Sequence, residues 1–150
     1  ICAMLALLSM GTARGGEVYS SAQILELRGQ AGPFVIGQEI DGNVRPIRSS
    51  AYVSTDEIFE IAIGEDRRIL EITCRRPGVF TQRLVTIGKS TLKEVLERYG
   101  KAGEVIRRGG TIQLGYDGIV FTFDDSKQTA VEPLQRPVWS ITLRRRSGKR

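Results

Sequence analysis

Gly88-Lys89-Ser90-Thr91, between an extended apolar run and a helix-like pattern, carries the residue types of a phosphate cradle. GKST is the last part of G-x-x-x-x-G-K-[ST], and a helix N-terminus attracts anions. The spacing refuses that chemistry. Position 83, where the first glycine should stand, is Arg83, and Leu84-Val85-Thr86-Ile87 is largely β-branched chain that does not curl its amides around a phosphate. Ser90 and Thr91 then read as helix caps and Lys89 as a solvated side chain.

Other reactive groups are sparse. There is no histidine, so the side chain best suited to proton transfer near neutrality and the commonest transition-metal ligand are both missing. Of the two cysteines, Cys2 lies in an apolar N-terminal run, and Cys74 reads as a small core residue ending a strand rather than a thiol activated by Arg75. Asp117, Asp124 and Asp125 could edge a cation, but none stands in D-x-[DN]-x-[DN]-G spacing, and turn formation explains all three. Nothing selects a carboxylate pair for glycoside chemistry. No catalytic, cofactor-binding or metal-ligating set is therefore expected.

Two cationic groups remain. Lys89, Arg107 and Arg108, near the helix and its following glycines, are the candidate contacts for a small anion. Arg144, Arg145, Arg146, Lys149 and Arg150 form a run suited to an acidic protein partner or to anionic lipid head groups. That run lacks the interleaved aromatics of a nucleic-acid site, so no nucleic acid is expected. Formal charge is +5, yet removing those five residues leaves 17 basic against 17 acidic groups. The basicity belongs to the terminus.

The element best placed to position these groups is a helix. Leu92, Val95, Leu96 and Tyr99 fall at i, i+3, i+4 and i+7, opposite Lys93, Glu94, Glu97 and Arg98. Thr91 with Glu94 makes a capping box, and Gly100 stands where a left-handed residue ends a helix. Next, Ile112, Leu114 and Tyr116 share a face, Asp117-Gly118 signals a type I′ turn, and Ile119, Phe121 and Phe123 return. Upstream, runs 57–63 and 68–74 predict a hairpin, with Leu70, Ile72 and Cys74 on one face. Residues 79–87 read as extended chain running towards the helix, and Val138 to Leu143 as the strand closing the sheet, with Trp139, Ile141 and Leu143 facing one way.

At 150 residues the chain holds one domain with tails. The expected fold is α+β, an antiparallel sheet of hairpins with one short amphipathic helix packed on one face. The expected division is 1–13 as a signal-peptide h-region or a membrane anchor, 14–55 as mostly irregular, 56–143 as the α+β domain and 144–150 as a basic tail. ICAMLALLSMGTA is apolar with small residues near Ala13, as in an export signal, and is shorter than the roughly 20 residues that span a membrane. The expected location is extracytoplasmic, periplasmic in a bacterium, with membrane anchoring as the alternative fate of the N-terminus.

The run from Gly88 to Gly100, close to G-x-S-x-x-x-V-x-x-x-x-G with one more residue between Ser90 and Val95, precedes a hairpin whose return strand starts Gly118-Ile119-Val120-Phe121. This combination resembles the helix-then-hairpin unit of small bacterial envelope proteins, among them the small lipoprotein of the outer-membrane β-barrel assembly machine and the β-lactamase inhibitory proteins. It covers about 87–123. Lys101-Ala102 stands where those proteins carry proline, and a lipidated cysteine is missing. The resemblance implies a module that acts through protein contacts without catalysis. The expected function is accordingly an exported, non-enzymatic interaction module or accessory subunit that touches another envelope or membrane protein, without a cofactor. The alternative is a hydrolase or binder of a small anionic ligand.

Overall fold

The computed structural model describes residues 11–12, 18–19, 23–126 and 131–147. In chain order the strands are β1 (Gly11–Thr12), β2 (Val18–Tyr19), β3 (Gln23–Leu25), β4 (Gln30–Ala31), β5 (Phe34–Val35), β6 (Val44–Arg48), β7 (Ala51–Ser54), β8 (Phe59–Ile63), β9 (Ile69–Cys74) and β10 (Phe80–Thr81). Helix α1 (Leu92–Tyr99) follows, then β11 (Glu104–Arg108), β12 (Thr111–Tyr116), β13 (Ile119–Asp124) and β14 (Ser140–Arg144). The fold is α+β, as expected. Its main layer is an eight-stranded antiparallel sheet ordered β11-β12-β13-β14-β9-β8-β7-β6. A four-stranded sheet, β10-β3-β4-β5, contains one parallel pair, β10 with β3.

Register explains the core. Phe59, Cys74, Ile141, Phe121 and Leu114 pair in sequence across five strands, and Ile61, Ile72, Leu143 and Ile119 form a second row on the same face. All nine side chains are buried. Strand alternation puts every second residue on one side; here that side is covered by the small sheet, through a Phe34–Phe59 edge contact at 6.1 Å, and by α1, through Tyr99–Phe121 at 4.8 Å. The opposite face carries Glu60, Thr73 and Thr142 in register, with the two threonine hydroxyls 3.0 Å apart.

Helix α1 forms where its caps require. Thr91 Oγ1 accepts from the Glu94 amide at 3.3 Å, Glu94 Oε2 accepts from the Thr91 amide at 2.9 Å, and Gly100 ends the helix with φ 76°. Ile87, just before the cap, is buried. Cys74 is buried and unpaired, and burial pushes its thiol pKa up.

Several expectations are corrected. Residues 44–54, expected to be mostly irregular, form β6 and β7 of the main sheet, so the folded region starts well before 56. Residues 79–87 fold back on themselves: the Ile87 amide donates to Val79 O at 2.9 Å and Leu84 adopts φ 61°. A register shift at Ala62/Ile63 pairs Ile63 with Ile69 and Ala62 with Glu71, which turns Leu70 outwards, half-exposed, instead of aligning it with Ile72. Residues 104–108 form a strand that the sequence pattern does not announce. Strand β14 does not close an edge. It lies between β13 and β9 and joins the meander β6–β9 to the meander β11–β13, while Trp139 precedes the strand and is half-exposed.

The turn at Asp117-Gly118 connects Tyr116 and Ile119 as expected, but φ is positive only at Gly118, so it is not type I′. The Gly109-Gly110 turn, between Arg108 and Thr111, has positive φ at both residues and fits that type.

Of the N-terminal run read as a signal or anchor, residues 1–10 and 13 lie outside the described residues; Gly11–Thr12 pairs with Val18–Tyr19. Among the described residues no helix is long and apolar enough to cross a membrane.

Candidate functional site

Three amides at the start of α1 are already engaged. Leu92 N donates to Arg136 O at 3.0 Å, Glu94 N to Thr91 Oγ1, and Thr91 N to the Glu94 carboxylate. Ser90 is buried, with its hydroxyl accepting from Thr86 N at 2.9 Å. An anion arriving there would have to displace the chain's own acceptors. Lys89 is exposed beside this end, whereas Arg107 and Arg108 project from β11 at the sheet edge. None of the three lines the two cavities described below.

The C-terminal cations are gathered. Arg144 is the last residue of β14, and the chain continues across the Asp117 turn as a strap rather than leaving as a free tail. Ser147 N donates to Asp117 Oδ1 at 2.9 Å and Arg146 Nε to Asp117 Oδ2 at 3.2 Å. Two glycines make room for it. A Cβ at Gly118 would stand 2.7 Å from Arg146 Cγ, and one at Gly115 would stand 3.1 Å from Arg144 Nη2. The arginine stems therefore lie against bare main chain, and Gly118 also supplies the turn's φ of 85°.

An open hollow of about 730 Å³ results, lined by Lys101, Arg144, Arg145 and Arg146 against the carboxylates of Glu104 and Asp117. Arg144 Nη2 lies 3.7 Å from Glu104 Oε2. Lys149 and Arg150, predicted as part of this cationic group, lie outside the described residues. The sequence reading missed Lys101, which α1 delivers to the hollow one residue beyond Gly100. Its proximity to the run depends on β14 and β13 being neighbours, a pairing between distant stretches of chain.

Chiefly the Ser147 amide, and with it the Arg146 guanidinium, holds the Asp117 carboxyl below its ordinary pKa of 3.8. A depressed pKa means that the strap is held wherever pH exceeds that ordinary value and is released as pH falls through the lower folded value. The Ser147 amide is therefore expected to be protected from hydrogen exchange at about pH 5 and to lose that protection in strong acid, as pH falls through the lowered folded value. Asp117→Asn is expected to reduce protection already at the higher pH.

A second concavity, about 640 Å³ and mostly apolar, is lined by Pro77, Ile87, Val131, Pro137, Val138 and Trp139, with Arg75, Asp124 and Arg136 at its polar side. Buried Arg136 donates through Nη1 to Asp125 Oδ1 and, at 3.1 Å, to Asp124 O; its Nε donates to Val131 O at 3.2 Å.

The sequence reading also missed a buried polar cluster between α1 and the small sheet. The Tyr99 hydroxyl donates to Glu26 Oε2, Thr81 Oγ1 lies 2.9 Å from the same phenol oxygen, and Arg83 stacks 4.6 Å from the Tyr99 ring centre. Burial raises the pKa of Glu26 and, together with the Glu26 hydrogen bond, that of Tyr99. Every group in this cluster has a partner, so it reads as a joint of the fold. Among the described residues, no group of three or more Cys, Asp or Glu side chains converges as metal ligands would.

No family model and no curated protein matches the chain. Among solved structures, a DUF4309 family protein from Bacillus subtilis, YjgB, is similar at 15% identity, with a TM-score of 0.49 over 77% of this chain and 84% of that one. At that level the likeness carries no functional argument, and the reading of the site rests on its own side chains.

Proposed function

We propose that this chain is a non-catalytic, extracytoplasmic interaction module, an accessory subunit that binds an acidic segment of another envelope or membrane protein at the arginine strap. The observation that carries this reading is the convergence of Lys101, Arg144, Arg145 and Arg146 on one hollow that contains two carboxylates. Such a surface attracts acidic side chains from a distance and selects against basic ones, and salt weakens it. Arginine is the suitable donor, since its fork binds a carboxylate through two parallel hydrogen bonds. The resemblance of 87–123 to small envelope proteins that act by contact supports the same class. An anionic lipid surface is the competing occupant.

The reading of a small-anion binder or hydrolase relied on Lys89, Arg107 and Arg108. These residues do not share either cavity, and the Thr91, Leu92 and Glu94 amides beside Lys89 are occupied.

A fluorescently labelled oligo-glutamate peptide is the direct probe, read by anisotropy against a salt series. Binding that weakens with salt, and that the pair Lys101→Glu and Arg145→Glu weakens by about tenfold or more while Lys89→Ala leaves it within about twofold, is the expected result. Preference for phosphatidylglycerol vesicles over the peptide would overturn the protein-partner reading. Loss of binding on Lys89→Ala would move the site to the helix.

A further inference from the structure

The two edges of the main sheet are built differently. Strand β6 carries Pro46, which has no N–H, and a register shift between Pro46 and Arg48. Both features hinder the addition of another strand. Strand β11 has neither. It pairs with β12 in unbroken register through all five residues, each of them exposed, with Val105 59% and Ile106 36% accessible.

The hydrogen-bonding direction of β11 follows from its turn. The two-residue turn Gly109-Gly110 closes on the Arg108–Thr111 pair, and antiparallel ladders alternate between bonded and non-bonded pairs. The N–H and C=O groups of Glu104, Ile106 and Arg108 therefore face β12, and those of Val105 and Arg107 face outwards. An added strand must meet Val105 and Arg107.

We infer that the occupant of this edge is β11 of a second copy of the chain, running antiparallel about a two-fold axis at Ile106 and joining two eight-stranded sheets edge to edge. In that register Val105 and the second copy's Arg107 exchange main-chain hydrogen bonds, and the symmetric pair does the same, making four bonds. Ile106 meets Ile106 at the non-bonded position, where side chains approach most closely. Glu104 stands opposite Arg108 at both ends. Moving the register by two residues one way sets Arg107 against Arg107; moving it the other way separates Glu104 from Arg108. Only the Ile106-centred register matches both charges.

The arginine side chains are free for this pairing. Among the described residues, the guanidinium groups of Arg107 and Arg108 have no hydrogen-bonding or ionic partner. Glu104 approaches Arg144 through Oε2, which leaves Oε1 for the second copy. One pair of five-residue strands is a small interface, so the association is reversible and concentration-dependent. The inference does not depend on what the strap binds.

Sedimentation equilibrium of the full chain, carried to about 1 mM, tests it. Glu104→Arg and Arg108→Glu, made singly, each place two like-charged pairs across the joint and are expected to weaken dimerisation by about tenfold or more. The double exchange restores opposite charges and is expected to return the affinity to within about threefold. In a Cys2→Ser background, Ile106→Cys is expected to give a disulfide-linked dimer under mild oxidation, because the paired residues meet at the axis, whereas Val105→Cys faces Arg107 and is not. Circular dichroism checks that each variant is folded. A chain that remains monomeric, single charge changes without effect, a double exchange that restores nothing, or equal cross-linking at 105 and 106 would each overturn the inference.

Discussion

Replacing Tyr99 by alanine is expected to cost roughly 3–5 kcal/mol of folding stability, read as a drop in the urea midpoint, and this would be a large share of a total of about 5–15 kcal/mol. The reason is position. Tyr99 ends α1 and is the residue through which the helix grips both sheets: its ring lies 4.8 Å from Phe121 and 5.4 Å from Tyr116 on the main sheet, and Arg83 covers its face at 4.6 Å. Its hydroxyl reaches Glu26 and Thr81 beside the small sheet. Alanine removes the aromatic contacts and also takes the hydroxyl donor from the buried Glu26 carboxylate, which keeps Arg83 Nε at 3.5 Å.

Tyr99→Phe separates the two effects. The ring stays and the hydrogen bond goes, so the expected loss is about 1–3 kcal/mol at neutral pH, the cost of taking a donor from a buried carboxylate oxygen. Its pH dependence follows from Glu26. Burial already raises that carboxyl above its ordinary 4.5, with the Tyr99 hydrogen bond opposing the shift. A raised acid pKa means that the site is most favourable below the unfolded value, where the group is protonated in both states, and loses stability as pH rises through the folded value. Removing the hydroxyl raises the folded pKa further, so the Tyr99→Phe penalty should be largest at neutral pH and shrink as pH falls towards about 4.5. Glu26→Gln should abolish that pH dependence. A penalty unchanged across this range would mean that Glu26 does not sense Tyr99.

Helix α1 was legible because everything that defines it is local: the apolar stripe, the Thr91–Glu94 box and Gly100 lie within ten residues. The β12–β13 hairpin was legible for a related reason, since alternation is strong wherever one face is buried. Strands β6 and β11 were not, because both lie at edges and are exposed along almost their whole length, so burial imposes no alternation on VRPIR or EVIRR. The outward turn of Leu70 depends on one extra residue in a register that composition does not record. The central place of β14 joins residues far apart in sequence, and with it went the means to foresee that Lys101 meets Arg144, Arg145 and Arg146. The arginines themselves were visible as a charge run. Glu26 and Tyr99, 73 residues apart, announce nothing in sequence, because a buried carboxylate looks like any other until the fold surrounds it.

Arg136 illustrates the same blindness and carries the second large effect. In sequence it is one cation in a polar stretch between prolines; in the fold it is 8% exposed, and its guanidinium holds the Asp125 carboxylate and the carbonyls of Asp124 and Val131 together. Its own carbonyl accepts the Leu92 amide, so the same residue fixes the start of α1. Removing one partner of a buried ion pair costs more than the pair contributes, since the other charge remains without compensation. Asp125 is only partly buried, with its side chain 26% exposed, which sets Arg136→Met at the lower end of the usual range, about 3 kcal/mol. Asp125→Asn keeps an acceptor and should cost about 1 kcal/mol. Arg136→Lys keeps the charge but cannot present a planar fork to three acceptors, and should fall between the two. Trp139, the single tryptophan, lines the cavity that Arg136 borders, so its fluorescence reports the change directly. An emission shift in Arg136→Met, absent in Asp125→Asn, is expected if the guanidinium holds the wall of that cavity as well as the ion pair. Equal losses for Met and Lys would instead place the whole effect in the shape of the side chain.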